Sequence, residues 1–245
     1  MTYDYIMKSS KRKVLYFIFA LAFIYFVDYY QEELLNFFNA HTSYSYSYTI
    51  KDLPEYSGSD YVIINDNNPV FEEDYKTTTS FEIYEELDSL DRCTGAFANV
   101  SLDTMPDGPR GSIGAVKPTG WHTVKYDIVE NKYLYNRCHL IGYQLTAENA
   151  NKKNLITCTR QMNVGAMLDF ENKVASYIKE TGNHVLYRVT PIFEETNLLA
   201  KGVQMEAFSV EDNGEGIKFN VFVYNVQDGI EIDYKTGESK LKSTN

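Results

Sequence analysis

The chain is short of cysteine, of positive charge and of long apolar runs, and each shortage removes a class of protein. Only Cys93, Cys138 and Cys158 occur in 245 residues, so at most one intramolecular disulfide can form and one thiol is left over. No Cys-x-x-Cys pair is present, which excludes a zinc ribbon. Lysine and arginine total 23 against 34 aspartates and glutamates, a formal net charge of −11. A body of that sign gives polyanions little long-range steering. The one extended apolar stretch, residues 14–27, is shorter than the roughly 20 residues that usually span a bilayer core. What is abundant is aromatic side chains, 21 Tyr and 14 Phe, within an ordinary hydrophobic fraction of 44%, so wholesale disorder is excluded.

The short apolar run has a directional setting. Lys8, Lys11, Arg12 and Lys13 precede it, and Asp28, Tyr29, Tyr30, Glu32 and Glu33 follow it. Its length suits a signal-peptide core, but no small-x-small cleavage site follows promptly, which favours an uncleaved, N-terminal hydrophobic helix acting as a signal anchor. The basic flank then stays inside, and the rest of the chain lies outside the cell membrane, or is secreted if the segment is removed. Residues 1–13 are a basic cytoplasmic flank, 14–30 the signal anchor or signal peptide and 31–49 a spacer holding a Ser-Tyr repeat. A single catalytic domain is expected over 50–240, with 241–245 as a tail and fraying from Lys235.

Charge is unevenly spread. Between Arg110 and Lys173 there are nine basic and five acidic residues, net +4, which leaves −15 for the remainder. A positive site on an acidic body can hold a polyanion at contact range, with binding weakened by salt.

The pattern of apolar residues gives an α+β fold with a mixed, mainly antiparallel sheet. Strands are expected at 61–65, 93–100, 184–192, 203–210 and 218–224, the last two joined by a hairpin turn at Asn213-Gly214. Residues 81–90 read as a short acidic helix or an irregular segment, and 155–159 as a short extended piece. A hairpin is expected from 121–128 and 132–139. Over 163–180 Met167, Phe170, Val174, Tyr177 and Ile178 recur at three- and four-residue spacing, so a helix is expected there, stopped at Thr181-Gly182-Asn183.

Two strands and a helix therefore bracket Asn136-Arg137-Cys138-His139, with Asn163 and Glu171 on the helix. Eight helical residues rotate by about 80° and rise by about 12 Å, so the amide and the carboxylate can address one region without both ligating one ion directly. Few protein oxygens with water between them suit Mg²⁺.

Asn136-Arg137-Cys138-His139, Leu140-Ile141-Gly142-Tyr143, Asn154-Leu155-Ile156, Asn163 and Glu171 together resemble the DNA/RNA non-specific endonucleases of the ββα-metal, or His-Me finger, type. The pattern is most similar to that of membrane-anchored nucleases that process incoming DNA, and it extends over residues 56–237. The resemblance implies a ββα-metal core, Mg²⁺ with Mn²⁺ as a substitute, DNA as substrate with RNA as a further candidate, and 5′-phosphate products. His139 would be the general base, Asn163 the metal ligand and Glu171 the group that orders the metal's waters. Arg137 and Arg160 would stabilise charge on the phosphate, and Arg110, Lys117, Asn154 and Asn136 would contact substrate.

Each role has a plain structural counterpart: a hydrogen-bonded core histidine for His139, a helix cap for Asn163, a solvated helix residue for Glu171, a turn for Asn154 and a surface role for Arg110 and Lys117. Trp121 reads as core and His122 as structural. The family signature is Asp-Arg-Gly-His, so Asn136 and Cys138 are departures. Cys138 is expected to pair with Cys93. The departures also keep open a catalytically silent nucleic-acid-binding or uptake protein, and a purely structural surface protein is the third class.

Overall fold

The computed structural model describes residues 53–243; the apolar run at 14–27 and the spacer after it lie outside the described residues. Among the described residues no helix is long and apolar enough to cross a membrane. Three short strands come first, β1 (Tyr61–Ile63), β2 (Phe81–Tyr84) and β3 (Ala96–Val100). After a long irregular stretch follow β4 (Tyr135–His139), α1 (Tyr143–Thr146), β5 (Leu155–Thr159), α2 (Arg160–Val164) and α3 (Ala166–Thr181). The chain ends with β6 (Val185–Ile192), β7 (Gly202–Ser209), β8 (Lys218–Tyr224), β9 (Ile230–Ile232) and β10 (Ser239–Leu241).

Apolar residues at every second position of β6 (Val185, Tyr187, Val189), β7 (Val203, Met205, Ala207) and β8 (Phe219, Val221, Val223) build the centre of a six-stranded sheet of order β1-β8-β7-β6-β3-β2, antiparallel at every step. The turn between β7 and β8 needs left-handed backbone, supplied by Asn213 at φ 54° and Gly214 at φ 82°. On one face Val189, Val203, Met205, Ala207 and Val221 join Met167, Phe170, Val174 and Ile178 of α3, together with Ile156, Cys138 and Leu140, in the main core. On the other face Phe71, Tyr75, Phe81 and Phe97 pack as a ring cluster beside the Arg188 guanidinium. Arg188 is ion-paired to the buried Glu206 at 2.6 Å, and Val70 satisfies both partners by accepting from Arg188 and donating to Glu206. A buried ion pair persists only when its remaining hydrogen-bonding capacity is met in this way.

Several sequence expectations change. Residues 81–84 are not helical: Phe-Glu-Ile-Tyr alternates in register with β3, and an edge strand tolerates the outward Glu82. The hairpin at 121–139 shrinks to one bridge, Lys125 opposite Tyr133, and the true partner of β4 is β5, with Tyr135 opposite Thr159 and His139 opposite Leu155. The extended piece at 155–159 is therefore the second strand of the ββα unit. The helix at 163–180 is broken at Gly165 (φ −95°, ψ −122°), where a Cβ would lie 2.6 Å from the Gln161 carbonyl oxygen. Gly182, at φ 75°, stops α3 as expected. Residues 239–241 do not fray, because β9 and β10 pair as a hairpin.

Candidate active site

β4 and β5 lie side by side, and their register places Cys138 opposite Ile156 and Cys158 opposite Asn136. The two cysteines are thus diagonal neighbours with Cα atoms 5.9 Å apart, and they form the disulfide. The expected Cys93–Cys138 pairing is overturned. Cys93 is a buried free thiol at the far end of β5, donating to the carbonyls of Lys152 and Leu155, and burial pushes its pKa up to about 11. The bond joins the strand that carries His139 to the strand that leads into α2, so Cys138 replaces the freedom of a glycine by a covalent tie.

His139 ends β4 with its ring 7% exposed. Its Nε2 lies 2.7 Å from the Asn149 carbonyl oxygen. A carbonyl only accepts, so Nε2 carries the proton and Nδ1 of the neutral ring keeps the lone pair. Burial holds the imidazole pKa below its usual value; the Asn149 bond opposes this and the nearby Arg110 charge adds to it. The ring is therefore neutral, in one tautomer and fixed in direction at neutral pH.

Glu171 is 8% exposed on the core-facing side of α3, so the plain solvated-residue reading fails. Burial pushes its pKa up to about 7, against hydrogen bonds from Gln144 and the Gly142 backbone and the Arg110 charge. Gly142 is needed there, because a Cβ would meet the Glu171 carboxylate oxygens at 2.5 and 2.8 Å. Asn163 sits near the end of α2, and its amide has no hydrogen-bond partner among the described residues. It does not cap the helix; Thr159 does, accepting from Met162.

His139, Asn163, Glu171, Asn136, Arg110, Arg137 and Arg160 all line one cleft of about 710 Å³. The break at Gly165 means that Asn163 and Glu171 reach it from separate helices rather than along one. Arg110 is exposed at the cleft and has no ion-pair or hydrogen-bond partner among the described residues. Arg160 donates from Nε to Glu130 at 3.3 Å, which leaves both terminal amino groups without a partner among the described residues. Arg137 is not a free fork: it donates to the carbonyls of Val116 and Gly114 and stacks on Trp121 at 3.9 Å, so it holds the 114–116 loop. Trp121, expected in the core, is half-buried against the Leu134, Tyr135 and Leu199 cluster and also forms part of the cleft wall beneath that guanidinium. His122 is structural, hydrogen-bonded to the Thr236 carbonyl at 3.1 Å.

One substrate-contact expectation fails. Asn154 is fully buried, and both ends of its amide are consumed by the Ile141 backbone, accepting at 2.9 Å and donating at 3.0 Å. It is a clamp behind the His139 strand and cannot meet substrate. Lys117 is exposed but does not line the cleft. Asn136 does line it, with a buried Nδ2 that has no partner. Sequence reasoning missed Asn149, Gly142 and Gln144. Only the bare Gly142 in the motif hinted at a close approach; a backbone carbonyl such as that of Asn149 leaves no trace in residue type.

The donor set fits a hard cation better than a soft one. Among the described residues no group of three His, Cys, Asp or Glu side chains could hold a metal. An unpartnered amide oxygen and a carboxylate on one open cleft match Mg²⁺, which keeps most of its waters.

Residues 72–211 match the family model of the DNA/RNA non-specific endonuclease. The chain belongs to that family. A deoxyribonuclease of Streptococcus dysgalactiae subsp. equisimilis is 28% identical over 204 aligned residues, covering 66% of this chain and 61% of that protein. The chain thus spans under two thirds of that relative's length. The crystal structure of NucA from Streptococcus agalactiae with magnesium bound superposes with a TM-score of 0.69 at 24% identity, over 79% of this chain and 94% of NucA. The structure of Sda1 nuclease with bound zinc gives a TM-score of 0.57 at 27% identity, over 67% of this chain and 82% of that one. The α+β, mainly antiparallel architecture is therefore that of this endonuclease family.

Within the family fold, Glu171 makes a two-sided prediction. A native pKa near 7 against 4.5 when unfolded means that the folded state binds the extra proton between those values. Stability is then full below pH 4.5, falls as pH rises, and above pH 7 is reduced by about 3 kcal/mol. In chelator at pH 8, Glu171→Gln is expected to raise Tm by about 5 °C or more, and to leave it unchanged at pH 4.5. Cleavage should fall about 10–100-fold. Equal Tm values at pH 8 would show that the carboxylate is not buried as a charge.

Proposed function

We propose that the protein is a metal-dependent endonuclease that hydrolyses phosphodiester bonds of DNA without sequence specificity and leaves 5′-phosphate ends. The observation that carries this is the His139 imidazole, pinned at Nε2 by the Asn149 carbonyl and free at Nδ1, in the same cleft as the unpartnered Asn163 amide and the buried Glu171. His139 takes a proton from water at Nδ1, and the water oxygen attacks phosphorus in line with the departing 3′ oxygen. Arg110 and the terminal amino groups of Arg160 donate to the phosphate oxygens as their charge grows. Asn163 would hold Mg²⁺ and Glu171 would orient the waters around it; a bound ion would supply positive charge against the charge that grows on the phosphate. Mn²⁺ is the expected substitute.

The magnesium-bound NucA structure supports the choice of ion, and the lack of a three-ligand His/Cys/Asp/Glu group among the described residues argues against zinc, although Sda1 was found with zinc. Water rather than a ribose 2′-hydroxyl is the nucleophile, so the chemistry extends to RNA. The basic flank and apolar run at 8–27 support a membrane tether with the catalytic domain outside, where the Cys138–Cys158 bond is stable.

Incubation of the purified protein with supercoiled DNA and with RNA, with and without Mg²⁺, tests the reading. Nicked and linear DNA whose ends ligate without prior phosphorylation is expected. The unpartnered Asn136 amide, standing where the family has an acid, favours the rival reading of a silent binder. Salt-sensitive retention of DNA with no new ends would establish that rival.

A further inference from the structure

Tyr133, Tyr135, Arg137 and His139 follow one another at every second position, and all four line the cleft. Extended backbone points such residues to one side. Three of them are spoken for: Tyr135 is buried and donates to the Gly237 carbonyl at 2.8 Å, Arg137 holds its loop, and His139 is the proposed base. Tyr133 is not. Its side chain is 46% exposed, its hydroxyl has no partner among the described residues, and no other aromatic ring packs on it.

Among the described residues the one cation over the Tyr133 ring is Lys125, with Nζ 4.5 Å from the centroid. Lys125 is exposed and has no ion-pair partner among the described residues. The two are a fixed cross-strand pair: the bridge between them is flanked by Tyr126 N–H donating to Lys132 at 2.8 Å and Leu134 N–H donating to Val124 at 3.2 Å. Between such flanking bonds, facing side chains stand at their closest. An acidic chain thus presents, on the wall of its catalytic cleft, a tied aromatic ring with an unneutralised ammonium beside it.

We propose that Tyr133 and Lys125 form a subsite that stacks an unpaired nucleobase on the tyrosine ring and sets the ammonium on a neighbouring phosphate, which makes single-stranded or locally melted nucleic acid the favoured substrate. The proposal rests on the nuclease reading above. Every base has a π-face, so the ring selects no sequence; inside a duplex that face is covered, so the ring adds affinity only for a base out of the stack. Six steps along the chain separate Tyr133 from His139, at most about 20 Å at 3.3 Å each. That is about six nucleotides of stacked strand at 3.4 Å each, and fewer where the strand is unstacked. Oligonucleotides too short to span the gap lose nothing when the ring is removed.

The test uses full-length protein carrying His139→Ala, so that binding is read without cleavage, and a single-stranded oligonucleotide with a 2-aminopurine at successive positions. Quenching at one position is expected, removed by a further Tyr133→Ala and kept by Tyr133→Phe, which retains the ring. Single-strand affinity should fall about tenfold with Tyr133→Ala and duplex affinity by less than twofold. Lys125→Gln should flatten the salt dependence by about one counterion. In protein with His139 intact, Tyr133→Ala should raise KM on single strands about tenfold with kcat unchanged. Undiminished quenching in Tyr133→Ala, or equal losses on single strand and duplex, overturns the subsite. Absence of cleavage by the unaltered protein overturns the nuclease reading instead, whatever the quenching shows.

Discussion

His139→Ala is expected to lower the rate of plasmid nicking by about 10³–10⁴-fold, the upper part of what a positioned general base contributes. The effect is large because nothing else in the cleft can do the same work. Among the groups that line it, Glu171 is buried with its pKa pushed up to about 7, so it is only about half ionised at neutral pH, and the arginines only donate. The loss should be chemical rather than structural. The ring's one hydrogen bond is to the Asn149 carbonyl, and its removal leaves one buried acceptor unmet, a cost of about 1–3 kcal/mol. Circular dichroism and Tm check that the fold survives, and added imidazole should restore part of the rate by filling the vacated space. A second reading comes from pH. Because burial and Arg110 hold the His139 pKa below the ordinary ~6.5, the unaltered enzyme should gain activity as pH rises through a value lower than that, and lose it below. Full nicking by His139→Ala, or an acid limb above pH ~6.5, would exclude His139 as the base.

That so much hangs on one carbonyl explains what could and could not be read from residue types. The helical face of α3 was legible, because Met167, Phe170, Val174 and Ile178 announce it by spacing, and so were β6, β7 and β8, whose alternation survives in the sheet. The partner of β4 was not. Residues 121–128 and 155–159 offer similar short apolar runs, and only tertiary packing selects the second for pairing with Asn136-Arg137-Cys138-His139. The cysteine pairing followed from that register and could not precede it. Composition misled at Phe81–Tyr84, where two acids in the neighbouring Glu85-Glu86 suggested a helix but the chain lies at a sheet edge. Of the candidate site residues, His139, Asn163, Glu171, Asn136, Arg110, Arg137 and Arg160, picked by type and spacing, are brought to one cleft. Asn154 and Arg137 were misjudged for one reason: polar side chains beside a catalytic motif serve the backbone as often as the substrate, and the difference lies in whether their hydrogen bonds are already spent.

Asn163 is the opposite case, an amide with nothing spent, and it carries the other large prediction. Removal of divalent cations with EDTA is expected to abolish cleavage, and Asn163→Ala to lower it by about 10³-fold at millimolar Mg²⁺, several kcal/mol of lost charge stabilisation at the phosphate. The rate should recover in part as Mg²⁺ is raised, because Glu171 still lines the cleft and a weakened site fills by mass action. Asn163→Asp, which keeps an oxygen at the same reach, should lie between. A measurement independent of catalysis separates metal loss from misfolding. Mg²⁺ raises the Tm of any protein that binds it only when folded, so the unaltered chain should be stabilised by added Mg²⁺ and Asn163→Ala should not, while their Tm values in EDTA agree. The Asn163 amide makes no hydrogen bond within the described residues, so its removal has no structural reason to alter the apo fold. Unchanged cleavage in EDTA, or a Mg²⁺ midpoint for Asn163→Ala equal to that of the unaltered chain, would take the metal away from this residue and leave its half-buried, unpartnered amide to contact the nucleic acid directly.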